Sequence, residues 1–175
     1  MKKIISIVLA VALIFALAVT AMAAEIAECT VSVDSVSAAG KTVPVRITGN
    51  RGFTNFGIAL DYDRAQLELL SIQTAEGETP YLCGAVAAGN TRWAGADGKT
   101  YGYVTAALED AVTEDGILFT ATFRVSEDFS GTAAVQPVVQ YMRSNKRLLS
   151  VFDAIPVTTV SGTVSTVLVG DYDQN

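Results

Sequence analysis

The sequence contains no histidine. That absence excludes a Ser-His-Asp triad, a Cys-His nucleophile pair and any His-ligated zinc site. Basic residues are also scarce, with 12 Lys and Arg against 18 Asp and Glu and a formal net charge of −6. Two of the lysines, Lys2 and Lys3, stand before the apolar run of residues 4–20, which is followed by Ala21-Met22-Ala23. A basic start, an apolar stretch and an Ala-x-Ala end predict a secretory signal peptide over residues 1–23. The run is slightly short for a membrane span, which needs about 20 residues. Cleavage after Ala23 takes both lysines away and leaves a net charge of about −8. Affinity for nucleic acid comes from Lys and Arg neutralising phosphates, so this balance argues against a nucleic-acid partner. It argues equally against docking on an anionic membrane. Cysteine is limited to Cys29 and Cys83. Export permits a disulfide between them, worth about 4 kcal/mol at most in a loop of this length. Two separate thiols acting as small hydrophobes are the alternative.

What remains after the leader alternates. Residues 30–36 read TVSVDSV and residues 42–48 read TVPVRIT, apolar and polar by turns. Pro44 suits such a strand only at an edge or a bulge. Along residues 53–63, Phe56, Ile58, Leu60 and Tyr62 share one face, and Asn55, Gly57, Ala59 and Asp61 share the other. Residues 67–72, 91–96, 101–108, 117–125, 135–142 and 157–167 read as further strands, with Asp97-Gly98 and Asp115-Gly116 as turn signals. Residues 74–90 hold no clean period and predict a loop with one helical turn. Many short strands without a sustained helical period indicate an all-β sandwich. A mature chain of about 150 residues buries roughly 68–70% of its unfolded surface, so it needs no cofactor to fold.

The order and spacing of several pieces resemble a known family. They are VSVDSV at 31–36, GKTVPV at 40–45, FGIALDYD at 56–63 followed by LEL at 67–69, EDGILFTATFRV at 114–125, and SGTV at 161–164. Together they resemble a cohesin domain, the receptor module of cellulosome scaffold proteins, over residues 28–167. The resemblance implies a nine-stranded jelly-roll β-sandwich that is not an enzyme. It implies binding of a calcium-loaded dockerin on a flat face built from the third, fifth, sixth and eighth strands. Carried residue by residue, the third strand presents Asn55, Gly57, Ala59 and Asp61, and the sixth presents Val104, Ala106 and Leu108, with Glu109 at its end. Asn55 falls where many cohesins offer a contact asparagine. Gly57 falls where they often have an aspartate, and the lost acceptor implies a different choice of partner. Small residues at 57, 59 and 106 would let a helix approach the sheet, with Asn55, Asp61 and Glu109 as a polar rim.

The C-terminal residues 168–175 end in Gly170-Asp171-Tyr172-Asp173-Gln174-Asn175. Asp171, Asp173 and Asn175 occupy positions 1, 3 and 5 of an EF-hand calcium loop, where alternate oxygen ligands turn onto one ion. The Gly-Asp opening resembles the start of a dockerin, so a linker and a truncated dockerin loop are expected here. The expected cofactor inventory is none for the sandwich, with calcium on the partner dockerin and on any complete C-terminal one. The expected setting is a secreted or cell-surface complex that contacts polysaccharide only indirectly.

Two other function classes fit parts of the pattern. A carbohydrate-binding module shares the jelly-roll architecture and needs exposed aromatic faces. Trp93, Tyr101 and Tyr103 are the candidates. A glycosidase needs two carboxylates facing each other across a substrate. Asp61 with Asp63, and Glu109 with Asp110, are sequence neighbours and read better as strand ends and turns.

Overall fold

A computed structural model of the chain describes residues 28–37, 42–50, 52–75, 77, 79–144 and 153–166. The expected signal peptide and the C-terminal ligands Asp171, Asp173 and Asn175 lie outside the described residues. Twelve strand segments follow in order: β1 (Cys29–Val33), β2 (Val36–Ser37), β3 (Thr42–Thr48), β4 (Phe53–Tyr62), β5 (Leu67–Gln73), β6 (Ala88–Ala94), β7 (Thr100–Val112), β8 (Gly116–Val125), β9 (Thr132–Ser144), β10 (Asp153–Ala154), β11 (Val157–Val160) and β12 (Gly162–Ser165). One sheet has the order β11-β1-β3-β8-β5, and the other β2-β12-β9-β4-β7-β6, with β10 attached to β9. The fold is the expected all-β jelly-roll sandwich. Among the described residues the helical content is one 3₁₀ turn, Gly84–Val86, inside the segment read as a loop with a helical turn.

The core lies between the two sheets. Phe56, Ile58 and Leu60 of β4, with Phe119, Ala121 and Phe123 of β8, are all fully buried, as their alternation predicts. Phe123 meets Tyr62 edge-to-face at 5.0 Å, so an aromatic pair bridges the sheets. Pro44 sits inside a sheet, since β3 is flanked by β1 and β8. The ladder to β8 shifts register between Val45 and Arg46, and the proline stands beside that bulge.

Twelve segments appear where nine strands were expected, partly because two strands split. β1 runs parallel to β11 in the first sheet, pairing Cys29 with Val157 through Ser32 with Val160. β2 runs parallel to β12 in the second sheet, pairing Val36 with Val164 at the same offset. The two chain runs thus cross from one sheet to the other side by side, without slipping.

The disulfide alternative is not the one the chain adopts. Cys29 and Cys83 are separate, buried, free thiols. Cys29 Sγ lies 3.5 Å from Met142 Sδ, packed among apolar neighbours. Burial raises the pKa of both, that of Cys83 to about 11. Thiolate is therefore scarce at neutral pH, and attack on a reagent needs thiolate. Neither cysteine should react with a thiol reagent in the native protein, and both should react once it is denatured without reductant. Zero free thiols in the denatured chain would reveal a disulfide instead.

Candidate functional site

β4 lies between β9 and β7, and β6 lies beyond β7. These four strands make one face of the sandwich. Pairing across β4 decides which side chains share it. Asn55 stands opposite Ala107 and Arg143, Gly57 opposite Thr105 and Tyr141, and Ala59 opposite Tyr103 and Val138. The outer face of β7 is therefore Tyr103, Thr105 and Ala107, with exposed Glu109 following in the same alternation.

This corrects the sequence reading of β7. Val104 pairs with Ile58 and Ala106 with Phe56, so both point into the core, where they are 0% and 3% exposed. Leu108 is half-buried and packs against the same core. None of the three joins Asn55, Gly57 and Ala59 on the outer face. The physical reason is volume. On the inner side the large Phe56 and Leu60 face the small Ala106 and Gly102. On the outer side the small Gly57 and Ala59 face the larger Thr105 and Tyr103. A side chain at 102 would lie 2.4 Å from Leu69 Cδ2, so the small inner residues of β7 make room for the core.

The small β4 residues are not the exposed surface either. Gly57 and Ala59 are buried, and Asn55 and Asp61 are half-buried. A Cβ on Gly57 would lie 2.3 Å from the Tyr103 hydroxyl and 2.6 Å from Tyr141 Cε1. Two tyrosines from the flanking strands thus close over the glycine. Thr105 Oγ1 donates to the Phe56 carbonyl at 3.0 Å and lies 2.8 Å from the Tyr141 hydroxyl. With the only threonine proton used on the carbonyl, Tyr141 donates to Thr105. The Tyr103 hydroxyl lies over the same glycine. Its pKa is raised, first by burial and then by the neighbouring Tyr141.

Trp93 of β6 stacks on Tyr103 with centroids 4.5 Å apart and planes 20° from parallel. Arg143 of β9 lies 5.3 Å over the Tyr141 ring. Trp93, Tyr103, Tyr141 and Arg143 so form a strip across β6, β7, β4 and β9. At its edge, Tyr101 donates to Asp97 Oδ2 at 2.6 Å, which pushes the tyrosine up to about 12 and holds the carboxyl below its usual value. The Oδ1 of Asn55 is enclosed and has no hydrogen-bond partner among the described residues. Among those residues, no group of three or more His, Cys, Asp or Glu side chains is placed to hold a metal ion. Sequence reasoning missed Thr105, Tyr141 and Arg143 as site residues and read Tyr103 only as a sugar-stacking candidate. The alternation of Tyr101, Tyr103 and Thr105 was the available signal.

Trp93, Tyr103 and Tyr141 give this sheet of the β-sandwich an aromatic outer strip, with Arg143 at one end. No family model and no curated protein matches the sequence. Solved structures do match its fold. The seventh ScaB type I cohesin from Pseudobacteroides cellulosolvens is similar at a TM-score of 0.64 and 16% identity, over 85% of this chain and 97% of that one. A chain of the Coh-OlpA–Doc918 type I cohesin–dockerin complex from Clostridium thermocellum gives 0.61 at 16% identity, over 79% and 99%. A non-cellulosomal cohesin from the archaeon Archaeoglobus fulgidus gives 0.60 at 19% identity, over 79% and 90%. The chain has the cohesin fold.

Proposed function

We propose that this domain is a non-catalytic receptor that holds the dockerin of a partner protein on the β9-β4-β7-β6 face. The observation that carries the reading is the cohesin fold with an aromatic strip on that sheet. Structures of this fold have been solved with dockerins bound, among them CaCohA2 with CaDoc0917 and the third ScaC cohesin of Acetivibrio cellulolyticus with the ScaB dockerin. On this reading residues 1–23 direct export, and the domain works in an extracellular complex of the cellulosome type. Asp171, Asp173 and Asn175 open a dockerin of its own. Calcium would reside on the dockerins and not on the sandwich. The sites expected to contact the partner are Asn55 and Asp61, at the margin of the strip, and Glu109 at the end of the face.

Calorimetry of residues 24–175 against a panel of calcium-loaded dockerins tests this. At least one should bind, and chelation of calcium should abolish the binding by unfolding the dockerin. No binding to any dockerin, with retardation in a polysaccharide affinity gel, would overturn the proposal in favour of a carbohydrate-binding module.

A further inference from the structure

We infer that Tyr103 and Tyr141, seated over Gly57 and continued by Trp93, decide which partner this face accepts. The inference rests on the dockerin-receptor reading and names its contact surface. A partner approaching β4 does not meet Gly57 or Ala59, because both are buried. It meets the layer above them. Tyr103 and Tyr141 reach that layer from strands on either side of β4, and they fit only because residue 57 has no side chain. The Tyr141 and Thr105 hydroxyls run to the Phe56 carbonyl, which anchors the Tyr141 ring to the backbone, and Trp93 stacked at 4.5 Å holds the Tyr103 ring. The strip is therefore pre-organised, and little side-chain freedom is lost when a partner covers it. Its chemistry is aromatic along most of its length and cationic at the Arg143 end. The matching partner is a helix with aliphatic or methionine side chains along the contact and a carboxylate at one end. Gly57 acts as a positioning residue, since it touches no partner and governs where both rings lie.

Trp93 is the only tryptophan in the chain, and it belongs to the strip. Its fluorescence therefore reports on the strip in the unaltered protein. With a tryptophan-free dockerin that binds by calorimetry, Trp93 emission should shift and its quenching by acrylamide should fall on complex formation. The double change Tyr103→Ala with Tyr141→Ala should weaken that dockerin by about tenfold or more, the scale of an interface hot spot. Gly57→Ala should weaken it in the same direction by displacing the rings. Tyr141→Phe should have the smaller effect, because the ring remains. Should the double variant fail to fold by circular dichroism, the Trp93 signal of the unaltered chain decides alone. Dockerin binding that leaves Trp93 emission and quenching unchanged overturns the inference and leaves the receptor reading standing. Failure of the unaltered chain to bind any dockerin overturns the receptor reading, and the inference with it.

Discussion

Gly162→Val is expected to leave the domain unfolded or destabilised by about 3 kcal/mol or more, at the top of the range for overpacking a close-packed site. A glycine inside a strand usually weakens it, and alanine there usually helps. Here the sign is reversed. A Cβ at 162 would lie 2.4 Å from the Val33 carbonyl oxygen and 2.5 Å from that of Asp34. Both atoms are backbone, at the point where β1 gives way to β2. Neither can swing aside as a side chain would. Gly162 opens β12 where the second run changes sheets, so the contact marks the crossing of the two runs. Gly162→Ala should already lower the urea midpoint, and valine should lower it further. Midpoints unchanged for both variants would place the crossing elsewhere.

Ala59→Arg should likewise destabilise the fold, by roughly 3–5 kcal/mol if the guanidinium stays enclosed without a partner. From the sequence, position 59 reads as an outward residue where a charge would stay in water and only block a partner. Its direction is outward, but its surroundings are not open. Ala59 is fully buried between Tyr103 and Val138 on the neighbouring strands. An arginine there must lose hydration or push Tyr103 away, and pushing Tyr103 disturbs its stack on Trp93. Thermal melting followed by circular dichroism checks the expectation. A native melting temperature would mean that the side chain snorkels out past the tyrosine at little cost.

The same position marks where the sequence stops being legible. On β4 the two faces differ sharply, with Phe56, Ile58 and Leu60 against Asn55, Gly57 and Asp61, so alternation assigns the core side without ambiguity. On β7 the contrast is weaker, with Tyr101, Tyr103, Thr105 and Ala107 against Val104, Ala106 and Leu108. Alternation then finds the strand and marks its orientation only through the polar atoms of the tyrosines and Thr105. The partner strand settles it, because the large inner residues of β4 require small ones opposite. Gly57 was legible as a missing acceptor. Its role as the seat of two tyrosines was not, since Tyr103 and Tyr141 lie on strands remote in sequence and meet only through sheet order. The cysteines show the same limit. Their number and spacing permit a bond, and the packing of Cys29 against Met142 is a fact of three dimensions.

The side-by-side course of the first and last runs has a mechanical consequence. Cys29 lies at one end of this parallel pairing and Ser165 at the other, beside Ser37. At about 3.3 Å per residue, the pairing spans roughly 25 Å. Tension applied through Glu28 and Thr166 would therefore pull along the strands and in opposite directions. The hydrogen bonds between the two runs would be loaded together in shear, and no terminal pair could peel away ahead of the rest. Resistance to extension is set by an unfolding barrier, and this layout places many bonds on that barrier at once. A domain of this shape can be held within a taut chain with β4, β7 and β6 outside the line of force, since only β9 of that sheet's outer strip pairs with the loaded run.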